Sequence, residues 1–162
     1  MADYVLSCCS TVDLSLEQMK ERNIEFVSYH YYLDDVRYTD DFGQTQPLQE
    51  FYQAMVNGAD TKTAQVNVEE FTEYFTPFLE SGKDIVHICM SSGITGVYNA
   101  ANIAKNDLLE KYPDRKIYIV DSLAASSGYG LLMDKLADLR DEGYTAEELV
   151  AWTEEHKLEI HH

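Results

Sequence analysis

Four groups of hydroxyl residues stand where short apolar runs end or in a loop before a helix: Ser10-Thr11, Ser91-Ser92 and Ser122 after the runs, and Thr61-Lys62-Thr63 in the loop before the Asn67 helix. With Gly93 and Gly96 beside them, they describe neutral donors on backbone that a ligand can approach closely. Such a set suits an anion held at short range. A carboxylate is satisfied by two or three short, charge-assisted bonds, whereas a multiply charged phosphate usually recruits Lys or Arg. Lys62 and Lys105 are the nearest bases, and neither stands inside the Ser91 to Gly96 turn. Other readings stay open. Ser and Thr also serve as ordinary helix caps. Ser91 or Ser92 as a nucleophile would make a small serine-dependent hydrolase or acyl transferase; that chemistry needs a His or Lys base, which His30 could supply only if the tertiary fold happened to bring it near.

The rest of the inventory excludes more than it offers. There is no GxxxxGK[ST] phosphate loop, no GxGxxG, no GxSxG elbow and no HExxH. The five histidines, at 30, 87, 156, 161 and 162, make no ligand spacing with cysteine, so neither a metal nor a cofactor is expected. His87 lies in an apolar run and reads as a satisfied core residue. Cys8, Cys9 and Cys89 form no CxxC pair and read as buried, inert thiols. Over 162 residues, 29 Asp and Glu against 12 Lys and Arg give a net charge of −17, which disfavours nucleic acid and anionic membrane surfaces. An interaction module that docks a basic partner is compatible with that surface. No apolar run approaches a membrane span, and no secretory leader is visible, so an integral membrane protein is excluded and a cytoplasmic location is expected.

The elements that must position the hydroxyls follow from periodicity. Tyr4 to Cys8 reads as a strand, Leu16 to Arg22 as a helix and Ile24 to Leu33 as a second strand; Val36 to Tyr38 reads as a short ribbon, and Pro47 opens a helix through Met55. Apolar residues at three- and four-residue spacing predict a helix over Val68 to Leu79, capped by Asn67. Asp84 to Met90 and Lys116 to Val120 are continuous apolar strands, each feeding a helix, Val97 to Tyr112 and about Ser127 to Asp141. Thr145 and Glu148 form a capping box for a last helix to His156. Residues 157 to 162 alternate like a strand cut in mid-course. The fold class is therefore α/β, a mostly parallel sheet with helices on both faces, with ligands expected at the carboxyl ends of the strands. The division expected is a domain over 1–143, then 144–162 as a helix and the start of a strand that would lead into a second, absent domain.

Several stretches together resemble the DegV family: Ser10-Thr11-Val12-Asp13-Leu14, Thr63-Ala64-Gln65-Val66 before a helix with Phe71, the turn Ser91-Ser92-Gly93-Ile94-Thr95-Gly96-Val97-Tyr98, and Val120-Asp121-Ser122 followed by Gly128 and Gly130. The resemblance runs over nearly the whole chain in order. It implies a two-domain α/β protein that binds a long-chain fatty acid, is not an enzyme and presents the carboxylate to a fatty-acid kinase partner. Carried over by motif, Thr63 and Ser92 would hydrogen-bond the carboxylate, with Ser91, Gly93 and the Thr95 backbone shaping the turn. The family's opening Asp is Cys9 here, and its later Gly-Gly-Arg stretch does not occur. Apolar surface facing the missing domain would then favour a homodimer.

Overall fold

The computed structural model describes residues 4–160. The chain opens with strand β1 (Tyr4–Cys9), makes a 3-10 turn at Ser10–Val12, and enters helix α1 (Leu16–Glu21) and strand β2 (Glu25–Val27). Two further strands, β3 (His30–Leu33) and β4 (Val36–Thr39), precede helix α2 (Leu48–Val56) and strand β5 (Thr61–Ala64). The remainder alternates: α3 (Val68–Glu80), β6 (Asp84–Cys89), α4 (Val97–Lys111), β7 (Ile117–Asp121), α5 (Ser126–Asp141) and α6 (Ala146–His156).

Four strands form a parallel sheet in the order β2-β1-β6-β7, as the apolar runs predict. Successive side chains of β6 point to opposite faces, and both faces are covered. Ile85 and Cys89 meet Phe71 and Phe75 of α3 and Ala104 and Leu108 of α4, while Val86 and Ile88 meet Leu132 and Leu136 of α5 and Leu149 of α6. Side-chain caps start two of these helices. Asn67 Oδ1 accepts from Glu70 N and Glu70 Oε2 from Asn67 N, each at 2.9 Å, and Thr145 with Glu148 repeats the device at α6.

Three expectations are corrected. The run from Ile24 to Leu33 is not one strand: β2 belongs to the parallel sheet, and β3 pairs antiparallel with β4 and β5 in a separate three-stranded sheet. The break falls where Tyr29 N donates to Ser10 Oγ at 3.0 Å instead of to a neighbouring strand. Thr61-Lys62-Thr63 is not a loop but part of β5, the other edge of that small sheet. Lys157 to Glu159 is a 3-10 turn rather than the start of a strand; Lys157 Nζ donates to Asp121 O at 2.9 Å, and α6 packs onto the main sheet beside β7. His161 and His162 lie outside the described residues.

Connections from β1 run to one side of the sheet and those from β6 to the other, so the topological switch point lies between β1 and β6. Their pairing ends at Ser7 and His87. Beyond it the buried Tyr129 hydroxyl bridges the two strands, accepting from Cys9 N at 3.0 Å and donating to Ile88 O at 2.5 Å. This requires α5 to lie close against the turn after β1. At Gly130 a Cβ would stand 2.6 Å from Val12 O, so no larger residue fits without backbone movement.

Candidate functional site

Beyond the carboxyl end of β6 lies a cavity of about 570 Å³. Thr63 reaches it from β5 and Ser92 and Gly93 from the turn after β6; Met90 and Ile94 contribute apolar surface. Both hydroxyl-bearing residues are exposed, and among the described residues no protein group hydrogen-bonds either hydroxyl. Two elements far apart in sequence thus aim unpartnered donors at one space.

Ser91 is not part of that wall. Its Oγ accepts from Gly93 N at 3.2 Å, and its carbonyl accepts from Ile94 N at 3.0 Å and Thr95 N at 3.3 Å. Ser92 N donates to Asp121 Oδ1 at 3.1 Å, and the same carboxylate oxygen takes Leu123 N at 3.0 Å. The turn therefore uses its backbone N–H groups internally, and what remains for a ligand is side-chain hydroxyl and the first turn of α4. That helix is 15 residues long and starts at Gly96 with no side-chain cap and no acidic residue in its first turn. Its positive end adjoins the cavity, since Gly96 is part of the lining.

Gln65 is the residue whose role the sequence reading missed. Its Oε1 accepts from Thr95 Oγ1 and from Gly96 N, both at 2.8 Å, and Thr95 Oγ1 in turn accepts from Tyr29 OH at 3.3 Å. Gly96 has room for this because it lacks a side chain; a Cβ there would meet Gln65 Nε2 at 3.0 Å. One carboxamide thus pins the turn bearing Ser92 to the segment bearing Thr63. The sequence signal was its place in Thr63-Ala64-Gln65-Val66, one of the stretches that carry the family resemblance.

The other hydroxyls hold structure. Ser10 Oγ accepts from Tyr29 N, and buried Ser122 closes its own turn with Ala124, accepting from Ala124 N at 3.1 Å. Thr11 Oγ1 is buried without a partner. Under the sheet, Ser7 Oγ lies 2.8 Å from Tyr74 OH and 2.8 Å from His87 Nδ1, and His87 Nε2 lies 3.8 Å from Cys9 Sγ. Burial pushes the His87 imidazole down to about 3 and the Cys9 thiol up to about 12, so both are neutral near pH 7. Burial also raises the thiols of Cys8 and Cys89.

His30, the base considered for serine catalysis, is engaged with other side chains. His30 Nε2 lies 2.8 Å from Glu70 Oε1, which also accepts from Arg37 at 2.8 Å, and His30 Nδ1 faces Thr39 Oγ1 at 3.4 Å. Burial opposes ionisation of Glu70, but the Asn67 N–H, His30 and Arg37 together hold its carboxyl below the usual range. Among the described residues no group of three His, Cys, Asp or Glu could hold a metal, and no helix is long and apolar enough to cross a membrane.

A parallel α/β unit with unpartnered hydroxyls beyond its strand ends is the arrangement in which open α/β proteins commonly place a ligand. Among such proteins the chain belongs to the DegV family, whose profile, described as an uncharacterised protein family, matches residues 9–162. It is 33% identical over its full length to a DegV domain-containing protein of Clostridium perfringens, of which it spans 56%. Among solved structures, a stearic acid-binding protein from Eubacterium ventriosum superposes with a TM-score of 0.83 at 28% identity, over 93% of this chain and 52% of the other. The Fatty Acid Kinase (Fak) B3 protein of Streptococcus pneumoniae, loaded with linoleic acid, gives 0.77 at 26% identity, over 97% and 54%. The chain thus spans about half the length of the relatives it matches.

Proposed function

We propose that this chain binds a long-chain fatty acid, with the Thr63 and Ser92 hydroxyls donating to the carboxylate and the turn built by Ser91 and Gly93 fixing their spacing. The observation that carries the reading is the pair of unpartnered hydroxyls facing one cavity from β5 and from the turn after β6. The family adds the ligand class, since the Eubacterium ventriosum relative is a stearic acid-binding protein. Physical chemistry agrees. In a chain of net charge −17, long-range attraction for an anion is absent, so short hydroxyl bonds and an uncapped helix end must hold the head group.

The likeness to the Fak B3 protein supports a second step, in which the bound carboxylate is presented in the cytoplasm to a fatty-acid kinase that brings ATP and catalysis. Oleate titrated into the 162-residue chain tests the first step by calorimetry. Binding is expected, and lipid extracted from the purified protein should contain fatty acid by mass spectrometry. A lipid-free protein that ignores oleate overturns the reading. For the second step, adding a fatty-acid kinase and ATP to oleate-loaded protein should yield acyl phosphate; its absence rejects presentation.

A further inference from the structure

A second cavity, of about 210 Å³, lies between the small antiparallel sheet and α2. Tyr29 and Thr63 line it as well as the first, but its remaining walls are of a different kind. Strand register puts Tyr38, Tyr31 and Thr63 in one row across the sheet, on one face. Tyr31 stacks on Tyr38 at 5.3 Å, and Phe51 of α2 meets Tyr31 edge-on at 5.3 Å and 84°, so the Tyr31 and Phe51 rings stand at right angles at the cavity. Two carboxylates, Asp40 and Asp41, stand in the wall with His30 and Leu48, and no Lys or Arg contributes to it.

The fixed charges at the wall are negative, and the one base that lines it, His30, has its Nε2 turned to Glu70 Oε1 at 2.8 Å. Aromatic faces carry negative quadrupole density. From Asp34 to Asp60 the sequence holds six acidic residues and one basic residue, Arg37, which is committed to Glu70. Burial first, and then the charges of Asp41 and Asp40, raise the Tyr31 hydroxyl pKa, which places its ring in the field of both carboxylates. The two acids differ in employment. Asp41 accepts from Thr45 Oγ1 at 2.6 Å, Thr45 N at 3.0 Å and Gln44 N at 2.9 Å, so it builds the loop. Asp40 Oδ1 receives only a long bond from Phe42 N at 3.4 Å, which leaves its charge for a ligand.

We infer that this second cavity is a site for a small organic cation with an apolar body, of the quaternary ammonium class, held against Tyr31 and Phe51 with Asp40 as its counter-charge. Quaternary ammonium groups need no hydrogen-bond acceptor and gain from aromatic faces, which is the chemistry this wall offers and the first cavity lacks. The inference differs from the fatty-acid reading in the charge of its ligand and rests on Tyr31, Phe51 and Asp40, which do not line the first cavity, although Tyr29 and Thr63 line both.

The test is titration of the 162-residue chain with choline and, separately, with 3,3-dimethylbutan-1-ol, which has the same shape without the charge. Chemical shifts of Tyr31 and Phe51 report the site. Choline is expected to saturate them, the neutral isostere to bind about tenfold more weakly, and Asp40→Asn to weaken choline by about tenfold while leaving the isostere unchanged. Phe51→Leu keeps an apolar residue on α2 and should also lower choline affinity. Equal binding of the two probes, or no saturable shift at about 50 mM choline, overturns the inference.

Discussion

The molecule holds two sets of hydroxyls that look alike in sequence and behave oppositely. Beneath the sheet, Ser7 sits between Tyr74 and His87, with the Phe71 and Phe75 rings packed edge-on to the imidazole at 5.3 Å, and its hydroxyl is fully used. Beyond the strand ends, Thr63 and Ser92 face a cavity with nothing to bond. Buried polar groups in a native protein must find partners, because an unpartnered one costs about 1–3 kcal/mol. Hydroxyls left unpaired at a solvent-filled cavity cost little until a ligand displaces the water. The difference separates groups that specify the fold from groups that are free to select a ligand.

The sharpest way to break this contrast is to remove the centre of the buried set. His87→Ala deletes a ring from a packed aromatic surround and leaves Ser7 with Tyr74 as its one side-chain partner, so it should cost about 3 kcal/mol or more in denaturant unfolding. Wild-type stability should also fall in acid. The imidazole titrates near 6.5 when unfolded and at about 3 when folded, so the unfolded state binds the extra proton between those values. The His87 contribution is complete above pH 6.5 and declines by about 1.4 kcal/mol per pH unit as the pH drops toward 3. His87→Gln should flatten that part of the profile. A mutant as acid-sensitive as wild type would place the acid loss elsewhere.

The complementary change is Ser92→Ala. A charge-assisted bond contributes about 1.5–3 kcal/mol, so oleate affinity should fall about 10- to 150-fold while the unfolding midpoint stays put. Thr63→Val should do the same from the β5 side. Loss of stability with unchanged affinity would show that these hydroxyls belong to the fold after all.

How far the sequence reaches is uneven for a physical reason. Strands β6 and β7 are legible because both faces are covered, which leaves an unbroken apolar run, and the caps at Asn67 and Thr145 are legible because a local pair makes them. What depends on partners distant in the chain is not. Ile24 to Leu33 has strand composition throughout, and only the bond from Tyr29 N to Ser10 reveals where it changes sheets. Thr61 to Ala64 is polar and at a sheet edge, so no alternation betrays it. The tail alternates over too few residues to tell a strand from the turn in which Lys157 reaches back to Asp121. The candidate site divides the same way: motif resemblance named Thr63 and Ser92, but which of two adjacent serines faces the cavity is decided by the turn.

Gln65 sharpens the comparison between the sets, because its carbonyl oxygen accepts two bonds within the fold and yet serves the open one. Gln65→Ala removes two acceptor contacts and should cost about 1–2 kcal/mol of stability as well as several-fold in oleate affinity, through a loosened Ser92 turn. Gln65→Glu retains an acceptor for Thr95 and Gly96 but adds a negative charge beside the cavity. It should therefore regain stability relative to the alanine variant without regaining affinity near pH 7. If both variants bind oleate as well as wild type, the carboxamide has no bearing on ligand geometry.

The smallest effect expected is the most discriminating about the adjacent serines. Ser91 Oγ accepts one bond, from Gly93 N at 3.2 Å, and the turn is also held by the Ser91 carbonyl, which a substitution leaves in place. In Ser91→Ala, Gly93 N loses its partner but is exposed to water, so the cost should be about 0.5 kcal/mol, near the lower end of a net hydrogen bond. Oleate affinity should change less than about threefold, against at least tenfold for Ser92→Ala. Equal losses from the two substitutions would mean that the turn reorganises on binding and that Ser91 swings into the cavity. A larger loss from Ser91 would reverse the assignment of the carboxylate contact.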